Sequence, residues 1–320
     1  MPYRWPEPRG EEDPLHRRLR CPETDFHRAM RHAFEDVFSV FEPLATRQWF
    51  AEVPLPGKTL ARFWEAYVGA ALLDAGLQVG PESKGQPDFR VTLPTGASLW
   101  VECVTPTLGD PRQSENAIIP PPPPSPGCPT LYVLPVEALL ARVAQAVDGK
   151  YRCLQRWRGC GVAPDHHIVI AVNEVRLTDA FGYGRLGYVL EAAYGIGNQV
   201  LLLDPTSNVA RDGGWESRLE ARKANDSTVP LGWFRSSDYA PFSAFLVGSV
   251  GPHQNSQLRL SPFGEAHAPQ PLGSGLALLH NPLAAVPLPQ GVIPCAWEWT
   301  QQGDVLKGEA GRSRATWAIE

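Results

Sequence analysis

Two carboxylates are spaced so that they could do chemistry together. Asp88 follows Pro87 at the start of one apolar run, and Glu102 closes the run Leu99-Trp100-Val101-Glu102 fourteen residues later. Pro94, Thr95 and Gly96 lie between them and predict a hairpin turn joining strands Asp88–Leu93 and Leu99–Val104. Adjacent antiparallel strands bring such carboxylates together at one end of a sheet. Like charges at that range repel unless a cation or a shared proton relieves them, and a hard divalent ion takes oxygen ligands of this kind. If the pair is a site, it therefore implies Mg²⁺ or Mn²⁺. A Glu102 buried unpaired among Trp100, Val101, Cys103 and Val104 would cost several kcal/mol, which argues for a partner. For Asp88 the plain alternative is turn chemistry, since Pro-Asp is an ordinary turn dipeptide.

The elements that must position this pair are legible on either side of it. Leu60, Phe63, Trp64, Tyr67, Val68, Ala71 and Leu72 recur at helical spacing and predict a helix over Lys58–Leu77, with Gly76 and Gly80 marking its end. Along the second strand Leu99, Val101 and Cys103 point to one face, and Trp100, Glu102 and Val104 to the other. A helix over Val136–Trp157 carries Leu140, Val143, Ala144, Val147, Tyr151 and Leu154 on one side. His167–Val172 is short and apolar, as expected of a strand in the middle of a sheet. Further expectations are a helix over Asp25–Phe41 within a peripheral helical cap, a helix over Leu186–Tyr194, and strands at Gln199–Leu203, Phe242–Val250 and Gly275–Leu279. Pro120–Pro124 should be an exposed polyproline segment. The expected fold is α/β, a central mixed β-sheet flanked by helices, with residues 1–50 as the cap, 51–300 as the α/β domain and 301–320 as a tail.

A helix, a hairpin bearing Pro87-Asp88-Phe89 and then Leu99-Trp100-Val101-Glu102, a second helix and a buried strand follow one another in an order that resembles the PD-(D/E)XK nuclease superfamily. The resemblance implies a restriction-endonuclease-like core and Mg²⁺-dependent phosphodiester hydrolysis on nucleic acid, with Asp88 and Glu102 as metal ligands. It also implies an acidic ligand on the preceding helix, here Glu65 at the edge of its apolar face. The lysine that the pattern places two residues after the glutamate is Val104 in this chain. Members of the superfamily supply that amine from a neighbouring helix, which points to Lys150 on the flank of Val136–Trp157, ahead of the more outward Gln145. His280-Asn281-Pro282 after the last predicted strand extends the similarity weakly to divergent bacterial members.

The net charge is -5, so any nucleic-acid contact must be local rather than spread over a basic surface. Arg142, Lys150, Arg152, Arg156 and Arg158 outnumber Glu137 and Asp148 around the second helix and offer such a patch. Six cysteines without a CxxC pair suit reduced thiols, and the charged, proline-bearing N-terminus lacks the apolar core of a signal peptide. A cytoplasmic protein with no membrane span is therefore expected. Gly182-Tyr183-Gly184-Arg185-Leu186-Gly187 matches a dinucleotide fingerprint, with Asp204 after the next strand, but the apolar strand stops about ten residues short of it. Gly57-Lys58-Thr59 resembles the end of a P-loop with no strand leading in, and Asp165, His166 and His167 have no spaced partner for a metal. The competing function is the same fold without catalysis, as a nucleic-acid- or protein-binding module.

Overall fold

The most apolar segments of the chain become the inner strands of one large sheet. The structure is a computed structural model, and it describes residues 3–81, 83–110, 112, 117–120, 133–181, 187–207, 209–223, 225–253, 271–303 and 305–311. Its helices are α1 (Pro14–Arg20), α2 (Asp25–Phe41), α3 (Arg47–Glu52), α4 (Thr59–Asp74), α5 (Val136–Tyr151), α6 (Leu154–Gly159), α7 (Val175–Phe181) and α8 (Tyr188–Tyr194). Its strands are β1 (Gln78–Gly80), β2 (Phe89–Thr92), β3 (Ser98–Val104), β4 (His167–Asn173), β5 (Ile196–Leu203), β6 (Ala210–Ser217), β7 (Glu220–Arg222), β8 (Thr228–Pro230), β9 (Ala244–Gly248), β10 (Leu276–His280), β11 (Trp297–Gln302) and β12 (Val305–Ala310).

Eight strands form a mixed sheet in the order β1-β2-β3-β4-β9-β10-β11-β12, and the protein is α/β with helices on both faces. Strands β3, β4 and β9 run parallel, as do β10 and β11, and the remaining pairs are antiparallel. Every residue of β4 is buried, as expected of a parallel strand covered on both sides. The alternation read along β3 holds. Leu99 and Val101 enter the core under α2 and α4, whereas Trp100 enters the opposite core under α5 and α8.

The first core explains why the N-terminal helices are not a peripheral cap. Phe34 packs on Phe63, and Phe41 packs on both Trp49 and Phe89, so α2, α3, α4 and the hairpin share one aromatic cluster. Gly69 lets α2 and α4 approach: a Cβ there would lie 2.8 Å from Phe41 Cδ2 and 3.0 Å from Phe89 Cζ. Gly69→Val is expected to lower unfolding free energy by about 2 kcal/mol, the scale of an overpacked core. Urea denaturation monitored by circular dichroism checks this, and an unchanged midpoint would contradict the packing.

Three other expectations are corrected. The helix expected over Val136–Trp157 breaks after Tyr151, where the N–H groups of Arg152 and Cys153 close on Asp148 and Lys150 before α6 begins. Residues 301–310 are not a tail, because β11 and β12 form the far edge of the sheet in register from Trp297↔Ala310 to Gln302↔Val305. The strand expected at Gln199–Leu203 begins at Ile196 and pairs with β6 outside the main sheet. Of Pro120–Pro124 only Pro120 lies within the described residues, and it is exposed. No helix among the described residues is long and apolar enough to cross a membrane.

At the end of β4 the chain turns on two buried polar side chains. Asn173 donates to the Val250 carbonyl at 2.8 Å and accepts from the Val250 N–H at 3.0 Å. Glu174 accepts the Val189 N–H in the first turn of α8, and burial pushes its carboxyl up to about 7. The folded chain thus holds this proton more tightly than the unfolded chain. Its contribution is complete below about pH 4.5 and is lost as pH rises through about 7. Glu174→Gln keeps the acceptor oxygen and is expected to lose roughly 2 kcal/mol less stability than wild type between about pH 5 and 8. Parallel urea titrations at the two pH values test it, and identical slopes would contradict it.

Candidate functional site

The hairpin register sets the site. Phe89 lies opposite Val101, so Asp88, one residue before β2, falls opposite Glu102. Residues opposite one another on an antiparallel pair share a face, here the face covered by α5. Asp88 is held by the other strand's backbone: the Cys103 N–H donates to Asp88 Oδ2 at 2.6 Å, while the Asp88 backbone helps to hold the Glu102 carboxyl down. The pair lies one strand in from the β1 edge, near the carboxyl end of β3, which runs with β4 and β9. In open α/β sheets ligands bind outside such strand ends.

Helix α5 adds the amine. Lys150 Nζ donates to Glu102 Oε1 at 2.5 Å, with the lysine side chain 25% exposed. Val104 packs into the α5-side core. The position where a nuclease lysine was expected and the helix that supplies Lys150 therefore face the same side of the sheet. Gln145 is used elsewhere, accepting from Arg142 Nη1 at 2.8 Å.

The electrostatics follow from two acids and one amine in a half-dry place. Burial and the charge of Glu102 raise the Asp88 carboxyl to about 7, against the pull of the Cys103 N–H, Lys150 and Arg62. Burial also raises Glu102, although Lys150 opposes it by charge and hydrogen bond. Burial works against the Lys150 ammonium, but Glu102 and Asp88 hold its pKa above the ordinary lysine value. With both acids ionised the trio carries one uncompensated negative charge, which a proton or a further cation would balance.

Glu65 is placed differently. It approaches from the α4 side, where its carboxylate pairs with Arg62, and Arg62 also grips Glu52 of α3. Its charge still reaches Cys103, whose thiol is pushed well above its ordinary range by burial and by the charges of Asp88, Glu65 and Glu102. Arg62 was not singled out from the sequence. Its signal was the i, i+3 spacing to Glu65, which puts the two on neighbouring positions of one helix.

Among the described residues no group of three or more His, Cys, Asp or Glu side chains is placed to hold a metal ion. Asp88 and Glu102 are a two-carboxylate set, and Mg²⁺ is commonly bound by one or two carboxylates together with water and substrate phosphates. The donor set therefore fits a hard cation that completes its shell with substrate.

The basic patch is narrower than its composition suggested. Arg142 turns inward, donating to the Thr107 carbonyl at 2.6 Å and the Thr107 hydroxyl at 3.0 Å, and Arg152 pairs with Asp148. Arg156 and Arg158 are exposed, and the charge of Arg156 is felt at Glu102. His166 accepts from the indole of Trp100 at 2.9 Å and from the Ala163 N–H at 3.1 Å, so it anchors the entry to β4. In the P-loop-like stretch the Gly57 N–H is taken by Asp13 and the Thr59 hydroxyl by the Val53 carbonyl. Residues 182–186 of the dinucleotide-like motif lie outside the described residues, and Asp204 folds back on Thr206 and Ser207 in a turn. His280 pairs with Glu298 at 2.9 Å, and Asn281 ties the carbonyls of Tyr239 and Phe242. Compared with protein families, with curated proteins and with solved structures, this chain finds no match.

Proposed function

We propose that this protein is a metal-dependent nuclease with a restriction-endonuclease-like core, in which Asp88 and Glu102 form the acidic site and Lys150 supplies its amine. The observation that carries the reading is the Lys150 ammonium seated on Glu102 beside Asp88. An acid pair strained toward protonation, with a lysine reaching it from the next helix, is costly to keep in a scaffold without a use. The sequence α4, β2–β3 hairpin, α5, β4 is the order that the resemblance to PD-(D/E)XK nucleases implies.

In this reading Asp88 and Glu102 would hold Mg²⁺ or Mn²⁺, which supplies Lewis acidity at a phosphoryl oxygen. Lys150 has two tasks. Without substrate it neutralises Glu102, and with a phosphodiester in place its three donors can turn toward the negative charge that develops during attack. Arg156, exposed and within electrostatic reach of Glu102, would meet a neighbouring phosphate. Arg62 keeps Glu65 and Glu52 together, so Glu65 supports the site from the opposite face and is a metal ligand only if Arg62 releases it. The substrate is nucleic acid, and the setting is cytoplasmic, in keeping with the thiols of Cys21, Cys103, Cys153, Cys160 and Cys295, all free.

One observation favours the non-catalytic module as a second reading. Lys150 already compensates Glu102, so the pocket is electrostatically tolerable with no ion at all. Thermal unfolding with Mn²⁺ or Mg²⁺ separates the two. The nuclease reading expects millimolar cation to raise Tm by several degrees in wild type and by much less in Asp88→Asn. No shift in wild type would favour the module.

A further inference from the structure

The acid pair shares its face of the hairpin with a stacked arginine. Trp100 precedes Glu102 by two residues on β3, so its indole lies on the same side of the sheet, about 7 Å away along the strand. Arg90 of β2 is directly opposite Trp100 in the register, and its Cζ lies 5.7 Å from the centroid of the indole ring. The ring itself is fixed: it is 3% exposed, and its N–H is held by His166 at 2.9 Å. On its other side Arg90 faces Gly80 of β1, which has no side chain to cover the guanidinium.

Arg90 is exposed, and its partners among the described residues are neutral, the indole and the Ser98 hydroxyl at a long 3.4 Å. Other cations around the site are already engaged. Lys150 sits on Glu102, Arg62 grips Glu52 and Glu65, Arg152 pairs with Asp148, and Arg142 turns in to Thr107. A stacked guanidinium keeps its plane fixed and leaves the N–H groups at its rim for a second partner, a fork that matches a phosphate. The stacking of an exposed arginine adds little to the fold. In a chain of net charge -5, attraction for a phosphate backbone has to come from local cations of this kind.

We infer that Arg90, stacked on Trp100, is a phosphate contact of the acidic site and holds the phosphodiester next to the one placed at Asp88 and Glu102. The inference rests on the nuclease reading and deepens it, because it names the form of the substrate. The bound strand continues along β2 beyond the group to be cut, so an oligonucleotide fits the site and a mononucleotide leaves Arg90 unused. A contact to the backbone carries no sequence preference. It is made equally in the ground state and in the transition state, so it acts on binding and leaves turnover alone.

Two measurements on the full chain test this. Fluorescence anisotropy follows the binding of labelled DNA and RNA oligonucleotides across a salt series with chelator present, and cleavage with Mg²⁺ gives KM and kcat. Arg90→Ala is expected to flatten the slope of log affinity against log salt by about 0.7 to 0.9, the loss of one phosphate contact. It should raise KM about tenfold or more with kcat nearly unchanged. Arg90→Lys keeps the charge without the stacked fork, so it should retain the slope and recover only part of the affinity. Arg28→Ala removes an exposed cation from α2, which packs on the opposite face of the sheet, and should behave as wild type. If wild type binds and cleaves while Arg90→Ala matches it, or if Arg28→Ala loses as much, the inference falls and the nuclease reading stands. A flattened slope in Arg90→Ala with no cleavage by wild type keeps the phosphate contact and removes the nuclease reading. A wild type that neither binds nor cleaves nucleic acid overturns both.

Discussion

Glu102→Gln is expected to abolish metal-dependent cleavage of nucleic acid while leaving a folded protein. The side chain keeps its size and an acceptor oxygen, so the pairing of β2 with β3 beside it should be preserved. What goes is one of two negative charges. A cation that had rested on both oxygen sets is left with Asp88 alone, and affinity falls with the loss of a charged ligand. Removing that charge also relieves Asp88. Burial and Glu102 together raise Asp88 to about 7, and without Glu102 its titration midpoint should move down toward the ordinary carboxylate range, with Lys150 free to turn to it. Unfolding free energy should change by no more than about 1 kcal/mol, because a neutral acceptor replaces a strained charged one. Carbon-detected NMR titration of the Asp88 carboxyl reads the shift. A midpoint that stays near 7 in the variant would mean that the two acids do not act on each other.

Lys150→Ala separates chemistry from binding. It removes no oxygen ligand, so divalent-cation affinity should be kept or improved once the competing ammonium is gone. Turnover should fall about a hundredfold or more, the scale of one electrostatic contact to a transition state. Stability should respond in a pH-dependent way. Glu102 loses the partner that held its carboxyl down against burial, so its pKa rises further. A raised acid contributes stability that is complete below its unfolded value and is lost as pH rises through its folded value. The variant should therefore unfold about 2 kcal/mol more easily than wild type at alkaline pH, and the difference should shrink toward mildly acidic pH as the pair takes up protons. A pH-independent loss would mark Lys150 as a packing residue.

The parts of this account that were legible in sequence share one physical property. Asp88, Glu102, the alternation of β3 and the apolar run of β4 rest on local periodicity, which the backbone enforces within a few residues. Lys150 was reachable through the resemblance, which implies an amine from a neighbouring helix, and through its place on the flank of that helix; the structure adds that Val104 and α5 lie on the same side of the sheet. Glu65 shows where helical angle stops being informative. Its position at the edge of the apolar face was compatible with a ligand, but which partner a half-buried carboxylate takes depends on Arg62, one turn away, and on Glu52 in another helix. The β11–β12 edge was missed because Trp297-Glu298-Trp299-Thr300 and Val305-Leu306-Lys307 are mixed in polarity, and only the pairing of β11 with β10 and of β12 with β11 makes them strands. Helices α1 and α3, of seven and six residues, are too short for a periodic signal; tertiary contact with α2 and α4 holds them.

The most direct test of the acidic site is a cleavage assay on purified wild-type protein with single- and double-stranded DNA and RNA, run with Mg²⁺, with Mn²⁺ and with chelator, beside Asp88→Asn, Glu102→Gln and Lys150→Ala. Wild type is expected to cleave at least one substrate in a cation-dependent way, with no cleavage in chelator or by either carboxylate variant, and slow residual cleavage by Lys150→Ala. Cleavage that persists in both carboxylate variants, or a wild type that cuts none of the four substrates with either cation, would contradict the nuclease reading.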